Sequence, residues 1–139
     1  ALSWLAKKID LSYDWYESLM VCREKQTEWL ADLILEEQSK TDLPVVILGK
    51  CFKKETNLTV GSPSILLKNI LDESSCSVVM FDPWVDAGIA PLKEPAIFFI
   101  GTNHDAFQSY EFPVGSVVID PWRFLVEQEG IRLVSVGRP

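Results

Sequence analysis

The sequence predicts an α/β fold, a parallel sheet covered on both faces and preceded by a long helix. Three observations carry that prediction. Short apolar runs recur at 45–49, 77–81, 96–100, 116–119 and 131–136, each closed by polar or turn residues. Unbroken apolar runs, without strict alternation, mark strands buried on both faces, as in parallel sheets. Helical segments separate some of these runs, which is the rhythm of βαβ units. Ahead of them all, residues 15–38 keep a helical spacing of apolar side chains.

The elements follow in order. Residues 3–9 fit a short helix with Leu2, Leu5, Ala6 and Ile9 on one side. Asp14 reads as the N-cap of the long helix, and Glu17 completes a capping box. Along that helix Trp15, Leu19, Cys22, Trp29 and Leu33 form one apolar seam, and Tyr16, Met20, Leu30 and Ile34 a second. A helix of this span is on the order of 35 Å long, more than a small domain needs for its own core. The double seam therefore predicts packing on a second copy or a link between domains. Residues 39–43 read as a linker, and Pro44 introduces the first strand. Ser62 at N-cap with Pro63 at N1 starts the next helix, which runs to about Ser74. Residues 86–95 read as loop, 105–109 as one helical turn, and 122–127 as short helix or loop.

Composition bounds the function. The 139 residues are 47% hydrophobic and 24% charged, enough for one core, and the net charge is −7. That balance argues against a nucleic-acid binder, which carries a basic face. No apolar run reaches the roughly 20 residues that span a bilayer, so no membrane segment is expected. Cys22, Cys51 and Cys76 are odd in number and widely spaced, which predicts neither a zinc site nor a disulfide framework. A reducing, cytoplasmic location is the matching expectation. The start at Ala1, inside a patterned segment, reads as part of a longer protein or as the product of processing.

Chemistry concentrates at the strand ends. Lys50, Lys53 and Lys54 follow the first strand, Asp82 the second, residues 102–105 the third, and Asp120 to Arg123 the fourth. In parallel strands these ends share one rim, where ligands of open α/β sheets lie. Lysines beside a helix start predict an anion there. No G-x-G-x-x-G follows a strand, so a self-contained dinucleotide site is not expected. His104, the single histidine, has no nucleophile beside it and reads as structural. Asp82 and Asp120, each before proline, read as turn-capping residues rather than a catalytic pair. Cys51 adjoins the basic loop, where a lowered pKa is conceivable, but its place beside a buried strand favours packing. Trp15, Trp29, Trp84 and Trp122 read as core or interface residues.

The run from Gly49 through Phe52-Lys53 and Thr56 to Ser62-Pro63 resembles G-x-x-F-K-x-x-T-x-D-x-R-x-S-P. That signature belongs to the C-terminal domain of the UDP-glucose/GDP-mannose dehydrogenase family. Phe81-Asp82-Pro83 is similar to its Y-D-P, Thr102 to Phe107 to its T-x-W-x-x-F, and Val118 to Arg123 to its D-x-R strand end. The resemblance implies a Rossmann-like three-layer α/β/α sandwich with a mostly parallel sheet of about five strands. It divides the chain into residues 1–40, the end of a central dimerisation helix, and 41–139, a nucleotide-sugar-binding domain. It implies an oxidoreductase that oxidises UDP-glucose or a similar UDP- or GDP-sugar to the uronate, chemistry that feeds polysaccharide biosynthesis. NAD would be held mainly by an N-terminal domain outside this chain, and a homodimer would form through the long helix. Phe52, Lys53 and Arg123 match the substrate-binding positions, and no catalytic residue is assigned. Val60 stands where the signature has an arginine directed at the NAD pyrophosphate. None of the three cysteines lies in the family's catalytic G-x-G-G-x-C-x-x-K-D segment. A diverged, non-catalytic nucleotide-sugar-binding or oligomerisation module is the alternative.

Overall fold

The computed structural model describes residues 2–137. Its sheet has five parallel strands in the order β2-β1-β3-β4-β5. These are β1 (Val45–Leu48), β2 (Val78–Phe81), β3 (Ile97–Ile100), β4 (Val117–Asp120) and β5 (Arg132–Ser135). Each sequence run predicted as a strand supplies one. The helices are α1 (Leu2–Lys8), α2 (Trp15–Thr41) and α3 (Pro63–Glu73), with a 3-10 helix at Asp105–Ser109. The fold is the Rossmann-like α/β class that the sequence predicts, with the long helix ahead of the sheet.

The three central strands β1, β3 and β4 are buried along their whole length. Their alternate side chains feed two cores. On one face Val45, Ile47, Ile97, Phe99, Val117 and Ile119 pack with Ala31 and Ile34 of α2 and Leu67 and Leu71 of α3. On the other face Val46, Leu48, Phe98, Ile100 and Val118 pack under Phe107 of the 3-10 helix and Phe112. That second covering layer is made of the 3-10 helix and loops.

Two helix starts behave as their sequences predict. The Asp14 carboxylate accepts the Glu17 N–H at 2.9 Å, and the Ser62 hydroxyl accepts the Ser64 N–H at 3.2 Å. The expected linker at 39–43 differs: α2 continues through Thr41. Ser39 and Thr41 donate their hydroxyls back to the carbonyls of Glu36 and Glu37, and Lys40 pairs with Glu36 at 2.9 Å. These local bonds carry the helix to Asp42, whose left-handed backbone ends it with its N–H on the Gln38 carbonyl. Lower on α2, Arg132 of β5 grips the buried Glu37 carboxylate with both guanidinium nitrogens, which ties the helix to the far edge of the sheet.

The two seams read on α2 part company. The face on the protein holds Thr27, Ala31, Ile34 and Glu37. Trp15, Leu19, Met20 and Trp29 lie exposed along the helix, and Leu2, Trp4 and Leu5 lie exposed on α1. No helix among the described residues is long and apolar enough to cross a membrane.

Candidate functional site

The strand order places a crevice. From β1 the chain goes to β2 on one side, then returns to β3 on the other, so the connections diverge between β1 and β3. Ligands of open α/β sheets bind at such a switch point, outside the carboxyl ends of the strands. Glycine ends both strands here. A Cβ on Gly49 (φ +102°) would lie 2.6 Å from the Thr102 Cβ, and one on Gly101 would collide with Ser64 and lie 2.9 Å from the Gly49 carbonyl. The two strand ends and the start of α3 approach this closely only because both side chains are missing.

One side of the crevice is a buried polar knot. Asp82, at the end of β2, is fully buried. Its Oδ2 accepts the N–H groups of Lys50 (2.6 Å) and Cys51 (3.1 Å), and its Oδ1 accepts that of Trp84 (2.8 Å). The His104 Nε2 lies 3.0 Å from Oδ2, while the His104 Nδ1 accepts the Glu55 N–H at 3.0 Å. Nδ1 is thus an acceptor, which places the proton on Nε2, donating to Asp82. Burial opposes ionisation of Asp82. The amides of Lys50 and Trp84, with the Cys51 thiol and His104, outweigh it and hold the carboxyl below its ordinary range. Burial and the adjoining Asp82 carboxylate push the Cys51 thiol up to about 12.

Cys51, Asp82 and His104 bring their ligand atoms within 4.8 Å of one another, a spacing that suits a metal ion. The hydrogen bonds give the cluster different work. The carboxylate is filled by donors, the free imidazole nitrogen is taken by the Glu55 amide, and the thiol is held protonated. A metal needs thiolate and free lone pairs. The knot instead fastens the loop 50–55 to β2 and to the turn after β3. It also answers the two readings of Cys51: the residue is buried, with a raised pKa, and packs.

The basic loop is further closed by Thr102, whose hydroxyl donates to the Cys51 carbonyl at 2.7 Å, and by the Phe52 N–H to the Leu58 carbonyl at 2.7 Å. Its lysines then differ. Lys50 pairs with Asp86 at 2.7 Å and Lys54 with Asp105 at 3.3 Å. Lys53 is exposed and has no ion pair among the described residues. It is the one lysine of the loop left to meet an anion.

On the α2 side the crevice opens into a cleft of about 480 Å³. Phe52, Leu67, Phe99, Pro121 and Trp122 give it apolar walls, and Arg23, Gln26 and Thr27 of α2 close one side. Phe52 and Lys53 are therefore neighbours on one loop beside this cleft. Arg123 is placed elsewhere. Its backbone is left-handed (φ +57°), and its Nε donates to the Val136 carbonyl at 2.9 Å. It borders a separate groove with Glu127, Arg132 and Ser135. Counted from Asp120, the third position of D-x-R falls on Trp122, and it is Trp122 that faces the Phe52 cleft. A strict D-x-R count from Asp120 is the sequence signal that would have pointed to Trp122. The Asp82–His104 contact, across 22 residues, had none.

Asp120 works locally. Its two oxygens accept the N–H groups of Trp122, Arg123, Phe124 and Leu125 at 2.9–3.0 Å. Both Asp-Pro pairs are turn-holding carboxylates, as their sequence predicts, and Asp82 adds the long-range knot.

No family model and no curated protein matches the sequence. Solved structures do match. The chain is similar to a UDP-D-ManNAc dehydrogenase from Pyrococcus horikoshii, with 23% identity and a TM-score of 0.64. The match covers 80% of this chain and 31% of that one, so this chain spans about a third of that protein's length. At this identity the likeness is one of fold.

Proposed function

We propose that this chain is the nucleotide-sugar-binding part of an NAD-dependent nucleotide-sugar 6-dehydrogenase. The observation that carries the reading is a cleft at the switch point of a parallel sheet, lined by Phe52 of the loop that also carries the unpaired Lys53. The ordered sequence motifs and the fold likeness to a UDP-sugar dehydrogenase support it. Lys53 offers a compact charge to a diphosphate, and Phe52 an apolar face beside it. In this reading residues 1–40 are the helical link and 41–139 the binding domain, with Ala31 and Ile34 anchoring the link in the sheet core. NAD and the catalytic cysteine belong to the remainder of the enzyme, and no step of the chemistry is assigned to this chain.

The test is calorimetric titration of the full-length protein with UDP-glucose, UDP-N-acetylmannosamine and GDP-mannose. One of them binds, and Lys53→Ala weakens it at least tenfold with an unchanged melting temperature. Absence of binding to all three sinks the reading.

A specific observation favours the second reading, a binding or assembly module without turnover. Val60, at the signature's arginine position, is 92% exposed, and its side chain has no donor to offer a phosphate. Formation of NADH from NAD and the bound sugar decides between the two.

The reading includes a homodimer. Trp15, Leu19, Met20 and Trp29 on α2, with Trp4 on α1, are each about half exposed or more, a larger apolar display than a monomer usually tolerates. A second copy packed along α2 would bury it. Sedimentation equilibrium should give a dimer, and Leu19→Glu a monomer. A monomeric wild type at high concentration refutes the dimer.

A further inference from the structure

Trp122 is held in an unusual way for an exposed aromatic. Its indole Nε1 donates to the carbonyl of Ile100 at the end of β3, at 3.0 Å. Its backbone N–H donates to the Asp120 carboxylate at 3.0 Å. Ile100 is fully buried and Asp120 is fully buried, so both anchors are rigid. The residue stays 50% exposed and lines the cleft at the switch point. An exposed surface tryptophan would ordinarily sample several rotamers. This one has its indole nitrogen tied to β3 and its backbone tied to the turn, with surface left open. Gln26 of α2 lines the same cleft and makes no side-chain hydrogen bond among the described residues. Its amide offers one donor pair and one acceptor.

We propose that Trp122 is a preorganised stacking platform for the base of a bound nucleotide, and that Gln26 reads the edge of that base. The proposal rests on the nucleotide-sugar reading above and says which end of the ligand enters the cleft. The cleft walls are mainly apolar with few polar groups, the character of a site for a flat heteroaromatic ring. Its volume of about 480 Å³ holds a nucleoside. Arg23 lines the cleft with its guanidinium on the Gly61 carbonyl, and the unpaired Lys53 lies on the adjoining loop next to Phe52, so we place the phosphates at the loop side. Base–aromatic stacking tolerates any base, because every base has a π face. Trp122 then supplies affinity, and Gln26 supplies discrimination between bases. Pinning the indole before binding removes the rotamer entropy that stacking would otherwise cost.

The test titrates the full-length protein with UDP and with inorganic pyrophosphate. Trp122→Leu should weaken UDP at least tenfold and leave pyrophosphate within threefold. Lys53→Ala should weaken both. Trp122→Phe keeps a ring but loses the bond to Ile100, so it should weaken UDP by less than Trp122→Leu does. UDP should quench the tryptophan emission of the wild type, and Trp122→Phe should abolish most of that quench. Gln26→Ala should narrow the difference in affinity between UDP and GDP. Wild-type affinity for UDP in Trp122→Leu, or an unchanged quench in Trp122→Phe, overturns the platform while leaving the nucleotide-sugar reading intact. Failure of the wild type to bind either UDP or GDP overturns both. If Trp122→Leu does not fold, the quench in Trp122→Phe decides alone.

Discussion

Two strands of this sheet end in the same dipeptide and use it differently. After β2, Asp82 gathers the amides of Lys50 and Cys51 from 32 and 31 residues away, and His104 from 22 residues away. After β4, Asp120 gathers only amides two to five residues ahead of itself. Both carboxylates are fully buried. The difference lies in what each one positions. Asp82 fixes the loop that carries Phe52 and Lys53 relative to three strand ends, so it sets the geometry of the crevice. Asp120 shapes one turn and so aims one side chain, Trp122. A buried carboxylate that serves its own turn is a cap, whereas one that serves other segments is a tertiary joint.

Removing each acid measures the contrast. Asp82→Ala strands the amides of Lys50, Cys51 and Trp84 and the Nε2 proton of His104 in a buried place. Each such orphan costs free energy that water cannot return. The expected loss is about 3–5 kcal/mol, the scale of a broken buried polar network, read by urea denaturation. A loss below about 1 kcal/mol would make the knot incidental.

The pH dependence sharpens the same point. The folded-state pKa of Asp82 lies below its ordinary value. The native state therefore binds its proton less readily than the unfolded chain does. Stability from Asp82 is fully present above the ordinary carboxylate pKa and is lost as pH falls through the depressed folded value. Asp82→Asn should be less stable at neutral pH and should flatten the acid limb of the stability curve. An acid limb identical to wild type would show that other carboxylates set it.

Asp120→Ala should cost less, about 1–3 kcal/mol, because the turn it holds is partly open to water. Its consequence is local: Trp122 loses one anchor, so nucleotide affinity should fall more than stability does. Equal loss of stability in the two alanine variants would erase the distinction drawn above.

What the sequence disclosed divides along the same line. Strands, helix starts and turns were legible because their causes are local: an apolar run, a Ser62-Pro63 pair, an aspartate before proline. The role of Asp82 was half legible. Its turn could be read from Asp-Pro, while its partners at 50, 51 and 104 depend on the strand order. The α2 seams were half legible for a related reason. Of the residues read there, Leu30, Leu33 and Ile34 pack on the sheet core beside Ala31, while Trp15, Leu19, Met20 and Trp29 stay exposed. Hydrophobic periodicity shows that faces exist. It does not say which face meets the protein and which is left open. His104 was read as structural for want of a nucleophile, and the geometry supplies the physical reason, two opposed hydrogen bonds that consume both ring nitrogens.

The smallest effect is expected where the local turn carries its own strain. Arg123 has a left-handed backbone at φ +57°, a conformation that costs a residue with a Cβ about 1 kcal/mol relative to glycine. Arg123→Gly relieves that strain. It also removes the bond from Nε to the Val136 carbonyl, an exposed contact worth about 0.5–1 kcal/mol, and gives the unfolded chain more freedom. The terms nearly cancel, so stability should stay within about 1 kcal/mol of wild type. Nucleotide binding then isolates what the guanidinium does. In this structure it is turned toward β5, away from the cleft of Phe52 and Trp122. Unchanged affinity in Arg123→Gly assigns the D-x-R position to Trp122. A tenfold loss of affinity at unchanged stability would mean that Arg123 leaves Val136 to reach the ligand, and that the turn held by Asp120 positions two binding residues rather than one.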